Sequence, residues 1–445
     1  MAHTKTVEWT RVSTPSELGA AIEGGELAIE VAGTLKGMQM ITLAPGVRLR
    51  GGRLEFGAKG VRLTRDNILE DVTIATADHE VAILNDTSFA DLGTLTLRGV
   101  RTTGQVLLLA REAVRSGHVQ VEGLTIESAE LRGRSERPHG FGVDAMQGAF
   151  TLWNQQPDPA VEITAELMDV AAGSADAPVR GSGVFVGGHG DANGFADGGR
   201  VRLTTLRTGE IHADGGIPAG TDLISGGVFV VSGVVVDQVL NTGPVTAYGP
   251  NDMVLDNWGQ VQSWITTAAV TSYGPSGIGF VNFGDIDRLD VRAPIATHGV
   301  GAGGFTVCDG SLRSASIDSI STTGDGAVGI QVSRELPELE VRGDLITTGG
   351  TGTSLVSGEQ VQPSAIALSV KSGGRIGQAF IGGKIATYGP HLVTVEVDGE
   401  IGSLTVDGGI HAEGEGSGGI RYRPGLDLTG IVITAASGDT RLLIP

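Results

Sequence analysis

A five-residue pattern returns along the second half of the chain at a fixed interval, and that interval restricts the fold more than any other property of the sequence. Val245-Thr-Ala-Tyr-Gly249, Val270-Thr-Ser-Tyr-Gly274, Ile295-Ala-Thr-His-Gly299, Ile320-Ser-Thr-Thr-Gly324 and Leu345-Ile-Thr-Thr-Gly349 end on glycines 25 residues apart at every step. The pattern returns 40 residues later as Ile385-Ala-Thr-Tyr-Gly389 and, after a further 25, as Ile410-His-Ala-Glu-Gly414. The 15 extra residues are expected to form an inserted loop within 350–366, where Ser354, Gly358, Glu359, Gln360 and Pro363 suit irregular chain.

Apolar positions repeat with the same period. Six residues after the glycine stand Leu255, Phe280, Phe305, Ile330 and Val395; fifteen after it stand Trp264, Leu289, Leu339 and Leu404. Their neighbours alternate with a period of two, as strands require, and helical spacings of three and four are missing. Short strands with Gly at the corners cannot bury a face alone, but stacked coils can. The expected fold is therefore all-β: a single-stranded right-handed parallel β-helix with coils of about 25 residues. One domain is expected over 1–445, with a cap and first coil in 1–35, longer loops in 36–240 and regular coils in 241–445. Ser182-Gly-Val-Phe-Val186 and Ser225-Gly-Gly-Val-Phe-Val230 extend the same architecture into the longer-looped part.

Composition agrees and narrows the function. The chain holds 72 Gly in 445 residues with 4% aromatics, so its core is built from Val, Ile, Leu and Ala. A net charge of −20 speaks against nucleic acid as a partner, since phosphate contacts need clustered Lys and Arg. Arg132, Arg134 and Arg137 form the one notable basic cluster, read as a solvated loop. Cys308 is the single cysteine, which leaves no intrachain disulfide and no cysteine-based zinc site. No long apolar run suits a signal peptide or a membrane span, so a cytoplasmic protein without a membrane partner is expected, unless an export signal has been trimmed away.

The N-terminal segment carries a family resemblance. Thr14-Pro-Ser-Glu17 is a capping box with Pro at the first helical position, opening a short helix through Leu18, Ala21 and Ile22. Then come Leu27-Ala-Ile-Glu-Val-Ala-Gly-Thr-Leu35, Ile41-Thr-Leu-Ala-Pro-Gly-Val-Arg-Leu-Arg50 and Val61-Arg-Leu-Thr-Arg-Asp-Asn-Ile-Leu69. This order of capping helix, strand, Pro-Gly coil and Asn-bearing strand resembles the opening of pectate-lyase-like β-helix proteins. The resemblance is close over roughly the first 75 residues and elsewhere architectural. It implies a carbohydrate-active enzyme with sugar bound along the outer strand face. The acidic calcium cluster and arginine base of the pectate lyases have no recognisable counterpart here.

Several motifs could carry chemistry. Gly299-Val-Gly-Ala-Gly-Gly304 and Gly324-Asp-Gly-Ala-Val-Gly329 match a dinucleotide fingerprint, but strands follow them where a helix is required, so no cofactor is expected. Asp191-Ala-Asn-Gly-Phe-Ala-Asp197 offers carboxylates without the full ligand set for calcium, and no metal is expected; His189 beside it is a catalytic alternative with no evident partner. Glu396 and Asp398 have the spacing of an inverting pair, yet Arg421 and Arg423 fall beneath them one coil later, and salt-bridged acids make poor proton donors.

The richest segment is Tyr248 to Trp258. If Leu255 and Asn257 point inward, Asp256 and Trp258 point outward together. Phe283 succeeds Trp258 one coil on, Asn282 stacks on Asn257, and Tyr248, Tyr273 and His298 form a column before the corner glycine. Asp256 is the expected acid/base, with Asp252 and His298 as alternatives. Trp258, Tyr248, Tyr273, Asn251 and Phe283 are the expected sugar contacts. Two readings stand: a glycoside hydrolase, lyase or intramolecular glycosyl transferase on an oligo- or polysaccharide, or a non-catalytic scaffold, adhesin or carbohydrate-binding β-helix, with homo-oligomerisation open in both.

Overall fold

The computed structural model describes residues 8–444 apart from 219–220 and 357–358, with the side chains of 354–359 also outside the description. The repeat resolves into three strands per coil. Asp252–Asn257, Gln260–Thr266 and Val270–Ser272 make one coil; Ile278–Asn282, Asp285–Val291 and Ile295–Thr297 make the next. Each strand pairs in parallel with its counterpart one coil on, as Leu255 with Phe280, Phe280 with Phe305 and Val270 with Ile295. The chain is a parallel β-helix. Leu255, Phe280, Phe305, Ile330, Leu368, Val395 and Ile420 form one fully buried interior ladder. Burying such a side chain contributes about 1.5–3 kcal/mol, so these rows are the main source of stability.

Why glycine recurs at the corner is visible in the packing. A β-carbon at Gly274, Gly299, Gly324, Gly349, Gly389 or Gly414 would overlap the carbonyl of the corner glycine in the preceding coil. None of these glycines has a positive φ, so close approach of backbones, not conformational freedom, excludes a side chain. Two residues later the chain turns through the left-handed region at Asn251, Ser276, Gly301, Gly326, His391 and Gly416. The same corner is thus rebuilt in coil after coil.

The breaks in the period have local causes. Leu289 pairs with Ala315 and Ala315 with Leu339, so one coil carries its inward residue a position late and the next recovers it. The expected irregular loop within 350–366 contains a hairpin, Ser354–Val356 paired antiparallel with Glu359–Val361. Gly358 of that loop lies outside the described residues, as do residues 1–7. Beyond the insertion the ladder resumes, Ile330 pairing with Leu368 and Leu368 with Val395.

At the N-terminal end the helix Pro15–Glu23 covers the open ladder with Leu18 and Ala21. Thr14 accepts the Glu17 N–H at 3.2 Å, while the Glu17 carboxylate accepts from the backbone N–H of Ser13 at 2.7 Å, one residue earlier than a standard capping box. Among the described residues no helix is long and apolar enough to cross a membrane.

Near the C-terminal end Glu396 faces Arg421 across the ladder, as the repeat predicts. The expected second pair, Asp398 with Arg423, does not form. Strand pairing ends at Glu396, and the Arg421 guanidinium reaches both acids, meeting Asp398 at 3.4 Å. Lys371 adds a contact to Glu396 at 3.0 Å. Burial raises the Glu396 carboxyl, but Lys371, Ser369 and Arg421 together outweigh it and hold it below its ordinary value. Arg421→Ala is expected to cost about 1–3 kcal/mol in urea unfolding at neutral pH, because it strips a charged partner from a largely buried carboxylate. A depressed carboxylate stabilises above its unfolded pKa and loses that contribution on acidification. The penalty should therefore shrink as pH falls below the ordinary carboxylate range.

Candidate functional site

The outer face of a solenoid strand is normally polar, but here it is not. Leu109, Trp153, Phe185, Phe229, Met253, Trp258 and Val281 project outward and form a second buried apolar cluster outside the coil. Long excursions cover it. His139–Gly140 and Val143–Ala145 form a hairpin whose second strand pairs with Leu223–Val230, and Phe141 at its tip packs 5.4 Å from Trp258, 4.8 Å from Phe283 and 5.8 Å from Phe195. A second loop, 188–199, is held by the Trp153 indole donating to the Gly188 carbonyl (3.1 Å) and by Ser232 donating to that of Gly194 (2.5 Å).

Two clefts flank the second loop. The first, of about 280 Å³, is lined by Arg137, His139, Trp153, Gln155, His189 and Ser232 among others. Both histidines there are oriented by a carboxylate: His139 Nδ1 lies 2.8 Å from Asp144 and His189 Nδ1 lies 2.6 Å from Asp197. A carboxylate at Nδ1 fixes the tautomer that leaves Nε2 available for proton transfer. Arg137 lines this cleft and forms no ion pair among the described residues; its guanidinium donates to the Arg132 carbonyl at 3.3 Å. The second cleft, of about 390 Å³, is bordered by Phe141, Phe195, Trp258, Phe283, Gln260 and Arg200 among others, and Phe195 is 59% exposed there.

The residues singled out from the sequence are placed differently from one another. Asp256 does project outward beside Trp258, but neither is open to solvent: Asp256 is fully buried and Trp258 is 5% exposed. Trp258 and Phe283 both line the aromatic cleft, Trp258 with little exposed surface. Asp252 is a corner brace. Its carboxylate accepts from Gly249 N (2.7 Å), Gly215 N (3.3 Å) and the Ser225 hydroxyl, and burial raises it to about 6. Asn251 sits at the left-handed corner with its amide toward the Thr221 carbonyl (3.4 Å), on an apolar groove of about 310 Å³.

His212, Tyr248, Tyr273 and His298 form one stack, with centroids 5.9, 5.6 and 5.0 Å apart and planes within 20° of parallel. Neighbouring rings cover both faces of Tyr248 and Tyr273, so these tyrosines offer edges, not platforms, to a sugar. His298 ends the stack, its Nδ1 3.1 Å from the Thr323 hydroxyl. The stack lies on no cleft lined by the paired histidines.

The sequence offers His189 without a partner and gives no sign of His139 and Asp144. Their pairing depends on a hairpin and a loop meeting in space, and the 25-residue period says nothing about excursions from it. Asp191 accepts from Asn193 N and Phe195 N at 2.9 Å each and shapes its own turn, while Asp197 is held by His189. Among the described residues no three His, Cys, Asp or Glu side chains converge to hold a metal ion. No family model, curated protein or solved structure matches the chain.

Burial drives the Asp256 carboxyl well above its ordinary value, with the Trp258 indole pulling weakly the other way. Among the described residues neither carboxyl oxygen, nor the Trp258 N–H beside them, makes a well-aligned hydrogen bond. An acid protonated in the fold but ionised when unfolded stabilises below its unfolded pKa, and that contribution is lost as pH rises through its folded pKa. Asp256→Val, the residue type found at Val281 one coil on, is expected to raise the urea midpoint at neutral pH by removing a buried unsatisfied group worth about 1–3 kcal/mol. It should also abolish a fall of about 1.4 kcal/mol per pH unit above the ordinary carboxylate range. An unchanged pH slope would refute this account of Asp256.

Proposed function

We propose that the protein is a carbohydrate-active enzyme of lyase type, acting on an acidic oligo- or polysaccharide laid across the outer strand face. The observation that carries the reading is the cleft in which two carboxylate-oriented imidazoles and the ion-pair-free Arg137 meet, beside an aromatic-lined cleft suited to sugar rings. The N-terminal resemblance to pectate-lyase-like proteins supports a sugar bound along the outer strand face, while the elimination chemistry rests on the cleft alone.

The chemistry suits β-elimination on a uronate. Arg137 would bind the sugar carboxylate and stabilise the negative charge that spreads onto it. One imidazole would take the proton from the carbon next to that carboxylate through Nε2. The electron pair forms the new C=C bond, the C–O bond to the leaving sugar breaks, and the other imidazole protonates the departing oxygen. No water enters the products, which separates this reaction from hydrolysis.

The test is to incubate the protein with a panel of uronate oligosaccharides and follow ultraviolet absorbance of an unsaturated sugar together with product mass. Products summing to the mass of the substrate, with the absorbance, support elimination. Products heavier by one water would make it a hydrolase. Binding with every oligosaccharide recovered intact would favour the non-catalytic reading, for which the aromatic cleft alone suffices.

A further inference from the structure

We infer that the His139–Ala145 hairpin is a lid, and that Asp256 with the Trp258 N–H forms a concealed subsite for a hydroxyl group of the sugar next to the reacting one. The inference rests on the proposed reading for the identity of the ligand, but its structural part stands on separate observations.

The first is that the buried Asp256 carboxyl and the adjacent Trp258 N–H face each other without forming a well-aligned hydrogen bond, and have no other partner among the described residues. Buried polar groups are nearly always satisfied, and unsatisfied ones call for a functional explanation. A protonated carboxyl offers one donor and one acceptor, and an indole offers one donor, which together complement sugar hydroxyls.

The second is the construction of the cover. Phe141 and Gly142 form the two-residue turn with φ of 52° and 83°. Glycine and asparagine suit such a turn, whereas a bulky ring at positive φ is strained. Phe141 keeps this conformation while its ring is seated on Trp258 and Phe283. A close fit completes the seat: a β-carbon at Gly140 would come within 2.7 Å of Gly194 Cα and 2.9 Å of Trp258 Cζ3.

The third is how the cover is attached. Its base is hydrogen-bonded to the solenoid through Asp144 N to Asp222 O (2.8 Å) and Met146 N to Ile224 O (2.9 Å). The tip is tied by a bond from Phe141 N to Asn193 O (3.2 Å) and by ring contacts. A firm base and a strained tip seated on Trp258, two residues from the poorly satisfied Asp256, suit a hinged element. Because His139 stands on the hairpin, its motion would also adjust the catalytic cleft.

Thiol labelling tests the lid in the full-length protein. Cys308→Ser removes the native thiol, and Val281→Cys then places a probe in the outer apolar cluster that Phe141, Val143 and Ala145 of the hairpin join, while Val307→Cys places a control inside the coil. Without denaturant, the 281 thiol is expected to label at least 10-fold faster than the 307 thiol. Phe141→Asn, which suits the turn but removes the seat, should accelerate labelling at 281 and not at 307. Equal rates with the same urea dependence, or no response to Phe141→Asn, would overturn the lid.

The subsite is tested with whichever uronate oligosaccharide the wild type degrades. Asp256→Val should raise KM at least 10-fold with no loss of urea stability, and unchanged kcat and KM would overturn the subsite. If the wild type degrades none of them, the functional reading and the sugar assignment fall together, and the labelling alone still decides the lid.

Discussion

Gly299→Val is expected to prevent the regular coils from assembling, and Gly299→Ala to lower stability steeply. The corner glycines stack so closely that a single β-carbon meets the carbonyl of the coil before it. The clash is with backbone, so no side-chain rotation relieves it. Overpacking usually costs about 1–3 kcal/mol where neighbours can shift; a rigid ladder on both sides places Gly299→Ala at or above the top of that range. Gly37→Ala, where nothing among the described residues lies within 4 Å of the added carbon but φ is 70°, is the informative contrast. It pays only the backbone strain, about 1 kcal/mol. Urea unfolding of both variants, with circular dichroism to confirm the fold, measures the difference. Equal small losses would mean that the corners can spread.

His189→Gln and His139→Gln should each lower kcat/KM for the degraded uronate oligosaccharide by about 10²–10⁴-fold, the usual contribution of a positioned acid or base. Both imidazoles are partly exposed on surface excursions, so urea midpoints should stay close to wild type. Asp197→Asn keeps the loop but replaces the carboxylate that orients His189, and should give a smaller loss with an altered pH–rate profile. Arg137→Lys retains charge while losing the planar fork, and should raise KM. If both histidine variants keep full activity, the cleft is not the reacting site.

The solenoid is legible in the sequence because it is written one coil at a time. Gly274, Phe280, Leu289 and Ile295 each repeat at a spacing set by the covalent length of a turn, and strands alternate with a period of two. The coil after Gly299 departs from that spacing by a one-residue slip, with Ala315 rather than Ser314 paired to Leu289. Outward orientation of Asp256 and Trp258 also follows from alternation. The burial of Trp258 does not, because it depends on a hairpin more than one hundred residues earlier in the chain. The same holds for the paired histidines: His139 and His189 share a cleft through loop contacts that no local pattern encodes. Tyr273 shows a third limit. The period places it between Tyr248 and His298, but only the ring planes reveal that its faces are already occupied.

The outer apolar cluster has a consequence for how the molecule comes apart. In a solenoid each coil holds mainly its two neighbours, so unfolding can travel inward from an end one unit at a time. The cluster runs across successive strands from Gln105–Ala110 to Ile278–Asn282 and is clamped by excursions that begin in one coil and rest on others. It acts as a splint, binding the middle coils into one cooperative block. Among the described residues the coils beyond the inserted hairpin add nothing to this cluster, so a fraying front entering from the C-terminal end would advance in steps and stall where the splint begins.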